Sequence, residues 1–310
     1  MVENYQLDTE KITWNPWYGC HKCSAGCDKC YILENTLNNV VRINKNQYSL
    51  PIKKKRNKKN RKTEEYELDY ILKPGSVVHV CTQSDFFIEE ADIWRIDAWE
   101  YIHKRSDCLF IITTKRTDRI EQSLPENWLD GWDNVVIQAS IEDNLTAWER
   151  VVTLFNLPIK HIGIEAQPLL EELDINEILG SGLIEKVTAG GESYNGIDRK
   201  AKELDIKYIK SLRDKCKEFS IQFEFSNTGS RLRLEDGKII TIDRVIDQIY
   251  LAKFYNYNID SFKEFDWELT AEKLEKRMID EDANRIYRKI LESNIGKQMT
   301  IDDWLGRKIT

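Results

Sequence analysis

The chain has 310 residues, 41% hydrophobic and 32% charged, which is enough for one large α/β domain or two ordinary ones. Its formal net charge of -7 excludes a global positive field for nucleic acid and leaves only a local patch for such a contact. The first residues lack the positive start and apolar run of a signal peptide, and no run approaches the roughly 18 apolar residues of a membrane-spanning helix. We therefore expect a cytoplasmic protein.

The first informative element is a cysteine-rich loop, 18–32, which follows a short predicted strand near Lys11–Trp14. In a reducing compartment, clustered thiols bind metal more often than they pair as disulfides. Four thiolates could close a zinc tetrahedron, although one short loop is tight for that geometry. The spacing also suits a 4Fe–4S cluster held by three thiolates, which leaves one iron open. The stretch CHKCSAGCDKC contains Cys20, Cys23, Cys27 and Cys30.

A strongly basic segment comes next. Lys53–Lys62 has eight basic residues in ten and no apolar spacing, which predicts a solvated loop inside an insertion that spans 45–75. Most such loops are only exposed to solvent and bind nothing. The local charge nevertheless suits a polyanion, which would bind by releasing counterions.

The middle of the chain alternates short apolar runs with amphipathic stretches. The runs are apolar on both faces, as in strands that are covered on both sides. One helical stretch places Leu145, Trp148, Val152 and Phe155 on a single apolar face. The predicted strands are Ser76–Thr82, Leu109–Thr114, Asn134–Ser140, His161–Ala166, Lys186–Gly191 and Ile221–Ser226.

Strands joined by helical crossovers favour parallel pairing in right-handed units. We therefore predict an α/β fold, a full or partial (β/α) barrel of parallel strands over 1–238, with a flat doubly wound sheet as the alternative. The remainder, 239–310, is charged and helical in pattern. It predicts a helical C-terminal extension that packs on the barrel or serves in assembly.

Polar residues follow the predicted strands at their carboxyl ends, where barrels of this kind gather their chemistry. Gly190 and Gly191 leave backbone bare for a ligand, and Glu192 beside them suits an ammonium group. Lys115 and Arg116 suit a carboxylate or a phosphate. Any one of these residues is as often a loop residue that only forms hydrogen bonds as it is a ligand-binding residue. The prediction of a binding site therefore depends on the whole set. The candidate cofactor-binding residues are Ser84, Asp85, Lys115, Arg116, Gly190, Gly191, Glu192 and Ser193.

Several segments, taken in order, resemble a known family. TWNPWYGCHKCSAGCDKCY, VCTQSDFF, ITTKRTDRI, ASIEDN and AGGES are similar to the signature of the three-Cys-motif phage-type proteins, a radical-SAM-like group mostly of unknown function. The resemblance spans residues 12–230. It implies Cys20, Cys27 and Cys30 as metal ligands, with Cys23 as the alternative first ligand. The sequence departs from the family pattern at Gln167, where Glu is usual, and at Ser226-Asn227, where Lys-Gln is usual.

The resemblance implies a radical S-adenosylmethionine enzyme with a 4Fe–4S cluster. The open iron would bind the amino and carboxylate groups of S-adenosylmethionine, and one electron would cleave it to methionine and a 5′-deoxyadenosyl radical that abstracts hydrogen from a substrate. Asp85 or Glu192 would hold the cofactor's ammonium group, and Lys115 or Arg116 its carboxylate. The catalytic residues and the substrate are unassigned, and the phage-type resemblance only favours DNA or a nucleotide.

The family resemblance, the basic segment and the helical extension predict the partners. They are a flavodoxin- or ferredoxin-like electron donor, a nucleic acid through Lys53–Lys62, and a protein on the helical extension, with no membrane. The alternative function is a zinc or iron–sulfur nucleic-acid-binding protein without turnover.

Overall fold

The computed structural model describes residues 12–30, 32–33, 40–56, 68–194 and 201–258. Its strands in chain order are β1 Ile12–Trp14, β2 Trp17–Tyr18, β3 Arg42–Ile43, β4 Lys54–Arg56, β5 Leu68–Tyr70, β6 Val77–Val80, β7 Leu109–Thr114, β8 Val135–Ile141, β9 His161–Ala166, β10 Ile184–Gly190, β11 Leu204–Asp205, β12 Gln222–Asn227, β13 Arg231–Arg233 and β14 Ile239–Thr241. Its α-helices are α1 Asp92–Lys104, α2 Asn144–Phe155, α3 Asn176–Leu179, α4 Ile206–Glu218 and α5 Val245–Asn258.

Seven strands form one parallel sheet in the order β1-β6-β7-β8-β9-β10-β12. The order follows the chain, without the reversal that defines a doubly wound sheet. The sheet curls into a half-barrel. The predicted α/β fold with a partial barrel is confirmed, including the short strand expected near Lys11–Trp14. The flat doubly wound alternative is wrong.

Three smaller sheets surround the half-barrel. β2 pairs with β3, and β4 pairs with β5 in an antiparallel hairpin. β13 lies between β11 and β14 in the third sheet. Because β14 covers 239–241, the segment that the sequence assigned to the helical extension begins with a strand.

One face of the central sheet packs against helices in a single large core. On β8, β9 and β10 this face contributes Ile137, Ile164 and Val187, all fully buried. Successive strand residues point to opposite sides, so the residues between them face the concave side of the half-barrel.

The helix α2 lies on this core with a different face from the one predicted. Ala147 and Val151 are its buried residues next to the sheet, whereas Leu145 and Trp148 are 67% and 42% exposed. The small Ala147 lets the helix approach the strands closely. The apolar periodicity of the larger side chains was therefore misleading.

The helix α5 covers the free edge of β12. The Asn256 side chain accepts a hydrogen bond from Phe225 N at 3.2 Å and donates one to Phe225 O at 2.8 Å, as a neighbouring strand would. Tyr250 and Leu251 join the core. Within the described residues no helix combines the length and apolar character needed to cross a membrane. The predicted extension beyond residue 258 lies outside the described residues.

Candidate functional site

The cysteine loop lies over the carboxyl edge of the sheet, beside the end of β6. Gly19 N donates to Gln83 O at 3.2 Å, and Ser84 Oγ donates back to Gly19 O at 2.5 Å. Trp17 Nε1 donates to Asp85 O at 3.1 Å. These bonds tie the entry of the loop to the segment that follows β6.

The far part of the loop is seated on Glu142, the residue directly after β8. Ser24 Oγ donates to Glu142 Oε1 at 2.5 Å. A Cβ atom at Gly26 would lie 2.4 Å from Glu142 Cγ, a distance that real Cβ contacts do not show. Gly26 is thus required by close packing of the loop on this carboxylate.

Glu142 is fully buried and paired with two cations. Lys115 Nζ forms an ion pair with Oε1, and Arg150 Nη1 lies 2.9 Å from Oε2. Burial raises the pKa of Glu142, but Lys115 and Arg150 offset this and hold it below its ordinary value. The backbone after Glu142 is fixed by Asp143, whose side chain caps α2 by accepting from Thr146 N at 2.8 Å.

Asp85 organises the end of β7 in a similar way. Its carboxylate accepts from Thr114 Oγ1 at 2.8 Å, from Phe87 N at 2.9 Å and from Lys115 N at 3.1 Å. Arg116 Nη1 lies 3.2 Å from the same carboxylate. Protein donors therefore occupy both oxygens of Asp85, and its main effect is to aim Arg116 at the cysteine loop.

The thiols lie next to these cations. Arg116 Nη1 donates to Cys20 Sγ at 3.8 Å, and Cys23 Sγ lies 3.9 Å from Cys27 Sγ. The hydrogen bond from Cys23, helped by Lys115, holds the pKa of the Cys27 thiol well below its usual range despite burial. The same bond and burial raise the pKa of Cys23, and burial raises the pKa of Cys20 to about 11.

Gly190 and Gly191 lie at the end of β10, pressed against the end of β12. A Cβ at Gly190 would lie 2.7 Å from Ser226 Oγ, and one at Gly191 would lie 2.5 Å from Thr228 O. The absence of side chains at these two glycines therefore leaves room for Ser226 and Thr228 of the same chain. From the sequence we expected that space to admit a ligand.

Glu192 follows these glycines and is 7% exposed. Its Oε2 accepts from Lys202 N at 2.7 Å, whereas its Oε1 is buried and has no hydrogen-bond partner within the described residues. Buried carboxylate oxygens are normally paired, so an unpaired one indicates a missing donor. The neighbouring Ser193 Oγ donates to Gln248 Oε1 at 2.5 Å.

The two departures from the resembled sequence pattern touch each other. Ser226 Oγ donates to Gln167 Oε1 at 2.8 Å, across the backbone of Gly190. A neutral hydrogen bond therefore stands where the resembled pattern has Glu and Lys.

Comparison with known proteins adds a family. A family model described as "Protein of unknown function (DUF5131)" matches residues 5–289. The chain belongs to this family. No curated protein and no solved structure matches the chain.

The donor chemistry of the cysteine loop suits an iron–sulfur cluster. Thiolates are the ligands such clusters use, and Lys115 and Arg116 favour an anionic centre. Within the described residues no three His, Cys, Asp or Glu side chains are arranged to hold a metal ion.

The basic hairpin β4–β5 lies at the opposite, amino edge of the sheet. Arg105, fully buried after α1, holds its base by donating to Pro51 O at 2.5 Å and Leu72 O at 2.8 Å, with Tyr70 stacked at 4.2 Å. Leu72 is followed within a few residues by the start of β6. Of the basic segment, 53–56 are described and exposed, and the rest lies outside the described residues.

Two residues of this site were not among the predicted candidates. Glu142 follows a predicted strand, which is the signal that could have identified it. Arg150 lies inside α2, and its approach to Glu142 depends on how α2 is rotated, which the sequence pattern did not reveal.

Proposed function

We propose that the chain is a radical S-adenosylmethionine enzyme in which Cys20, Cys27 and Cys30 bind a 4Fe–4S cluster, with Cys23 as the alternative first ligand. The supporting observation is the position of the cysteine loop on the carboxyl edge of a parallel half-barrel, where barrels of this kind carry their chemistry. When bound, the cluster would supply the electron that cleaves S-adenosylmethionine to a 5′-deoxyadenosyl radical, which would abstract hydrogen from a substrate.

The chain's own residues prepare this edge in two ways. Ser24 and Gly26 fix the loop on Glu142, so the thiols stay close to Lys115 and Arg116. Lys115 helps to favour the thiolate form of Cys27, which is the form that metal ligation requires.

Glu192 is the better of the two candidates for the cofactor's ammonium group. Its Oε1 is buried without a donor, whereas protein donors surround both oxygens of Asp85. An ammonium at Glu192 would supply the missing hydrogen bond. Lys115 and Arg116 remain the candidates for the cofactor carboxylate, and Ser84, Gly190, Gly191 and Ser193 for the walls of its site.

The proposal extends to partners and location. A flavodoxin- or ferredoxin-like protein would deliver the electron, and reduced thiols fit a cytoplasmic setting. DNA or a nucleotide is the proposed substrate, and the helical extension is the proposed protein-docking segment.

The alternative function is a zinc or iron–sulfur nucleic-acid-binding protein without turnover. The basic hairpin supports it, because Arg105 holds a cluster of exposed cations on a fixed base. Contacts to phosphates through such a patch need no catalytic site.

Anaerobic reconstitution with iron and sulfide separates these functions. We expect a brown protein that cleaves S-adenosylmethionine under reductant, and loss of iron in Cys27→Ser and Cys30→Ser. Comparing Cys20→Ser with Cys23→Ser identifies the third ligand. The buried Cys216 serves as control, since Cys216→Ala should keep its iron. A colourless protein with one equivalent of zinc, or a brown protein that does not cleave S-adenosylmethionine, would favour the alternative.

A further inference from the structure

A second polar region lies on the concave face of the half-barrel. Towards the amino edge this face is apolar on β6, β7 and β8. Leu109, Ile111 and Val136 are buried, at most 1% exposed, and pack with Val77 in a cluster separate from the main core. This cluster forms a hydrophobic floor.

Above the floor the same face becomes polar across five adjacent strands. Gln138, which is 2% exposed, accepts a hydrogen bond from Thr113 Oγ1 at 3.0 Å. A Cβ at Gly163 would lie 3.0 Å from Gln138 Cγ, so Gln138 fills the space beside that glycine. One row of register neighbours consists of Thr113, Gln138, Gly163, Lys186 and Gln222.

Lys186 places a buried charge in this row. Its side chain is 3% exposed, and its Nζ lies 2.6 Å from Glu224 Oε2. Glu224 belongs to the next row, with Ser140, Glu165 and Thr188. Only Lys186 is buried in this pair, because the Glu224 side chain is 30% exposed, but burying even one charge is costly, and apolar side chains would fill a purely structural interior at least as well. The polar rows therefore call for an explanation beyond packing.

Two buried oxygens beside Lys186 have no hydrogen-bond donor in the described part of the chain: Glu185 Oε2 and Gln222 Oε1. Gln222 is the register neighbour of Lys186 on β12. The register shifts between Ile184 and Lys186 on β10, and Glu185 Oε1 lies 2.8 Å from Nδ1 of His161, which is the register neighbour of the floor residue Val136. Both unpaired atoms are acceptors, so the group that would satisfy them is an N–H or O–H donor.

We propose that this concave face is a separate ligand site, which binds a small molecule carrying a protonated amine. Carboxylates at Glu165, Glu185 and Glu224 outnumber the basic side chains Lys186 and His161, so the face favours a cation over an anion. Lys186 lies four residues before Gly190, about 13 Å below the edge at ~3.3 Å per residue.

Fragment titration tests the amine. The full-length protein without iron is titrated with 1,4-diaminobutane, with its neutral match 1,4-butanediol and with its acidic match succinate, by ligand-observed NMR. We expect the diamine to bind on the order of tenfold more tightly than the diol, since a charged hydrogen bond is lost, and succinate not to bind.

Variants assign the binding to this face. Glu185→Gln should weaken diamine binding on the order of tenfold. Gln222→Leu, which removes the other unpaired acceptor, should weaken it in the same direction if the first variant does not fold. The control is Glu149→Gln on the exposed side of α2, which should bind the diamine unchanged.

Three outcomes would overturn the inference: no binding of the diamine, equal binding of the diol or succinate, or unchanged binding in a folded Glu185→Gln or Gln222→Leu variant. The titration needs neither iron nor S-adenosylmethionine. Its failure therefore leaves the proposed function standing, and failure of cluster assembly leaves the amine site standing.

Discussion

Glu142 joins three parts of the molecule that are distant in sequence. It receives Ser24 from the cysteine loop, Lys115 from the end of β7 and Arg150 from α2. A buried carboxylate with two cationic partners stabilises the fold only while it is ionised. Its charge therefore links the stability of the sheet edge to the seating of the loop.

Replacing Glu142 by Gln should lower the free energy of unfolding by about 3 kcal/mol near neutral pH, because two buried cations lose their partner. The pKa of Glu142 is depressed from 4.5, so its contribution is complete above that pH and is lost as the pH falls through the folded-state value. The gap between wild type and variant should narrow on acidification. Urea unfolding at about pH 7 and about pH 3.5 measures it. An equal gap at both pH values, or the same loss in Glu149→Gln, would contradict the prediction.

Gly26→Ala should displace the cysteine loop. The added Cβ would meet Glu142 Cγ and Oε1 at 2.4 Å, and Glu142 is held by its ion pairs and cannot move aside freely. We expect reduced iron uptake in reconstitution and a lower melting temperature. The exposed neighbour Ala25 provides the control, since Ala25→Ser should behave as wild type. Full iron content in Gly26→Ala would show that the loop does not need this close contact.

At the scale of elements, α5 acts as a substitute strand at the border of the sheet. The Asn256 amide pairs with both backbone groups of Phe225, in the middle of β12. A helix on an edge strand blocks pairing with other chains. The element also buries Tyr250 and Leu251, so the half-barrel depends on residues beyond the predicted barrel segment.

Asn256→Ala should lower the free energy of unfolding by about 1–3 kcal/mol, because the backbone groups of Phe225 lose both partners. Asn256→Asp keeps the acceptor for Phe225 N and removes the donor to Phe225 O, so its effect should differ from that of the alanine variant. Chemical denaturation gives the energies, and hydrogen exchange at the Phe225 amide reports the local opening. Unchanged protection of that amide in Asn256→Ala would refute the role given to α5.

At the scale of the whole molecule, the two charged features lie on opposite edges of the sheet. The cysteine loop is held at the carboxyl edge, and Arg105 anchors the basic hairpin at the amino edge. A nucleic acid held by the hairpin alone would not be brought to the thiols.

Replacing Lys54, Lys55 and Arg56 together by Ser should weaken binding to duplex DNA and reduce its salt dependence, by up to about three units of slope. Iron uptake should stay at the wild-type level, because these exposed side chains lie away from the cysteine loop. Fluorescence anisotropy at several salt concentrations, beside iron analysis, tests both statements. Loss of iron in this variant would show that the two edges are coupled.

The sequence predicted the sheet well because each strand is a compact apolar run with polar residues at its carboxyl end. It did not predict β14, which is short, or the buried face of α2, where small Ala147 packs closely and larger Trp148 is exposed. The role of the cysteine loop as a cluster site stays a prediction.

The contacts of the site were less accessible to prediction. Gln167 and Ser226 are 59 residues apart in the chain. They meet because β9, β10 and β12 are adjacent in the sheet. The concave polar rows likewise depend on strand register, which periodicity alone does not fix.

The two hydrogen bonds between Asn256 and β12 also limit where the chain can be truncated. A fragment that stops at residue 238 would retain every strand of the large sheet, yet it would leave the Phe225 peptide groups bare. Two such fragments could then join edge to edge, as strands with free borders tend to do. Light scattering of the shortened protein would reveal dimers or larger aggregates, and restoring residues through 258 should return it to a monodisperse state.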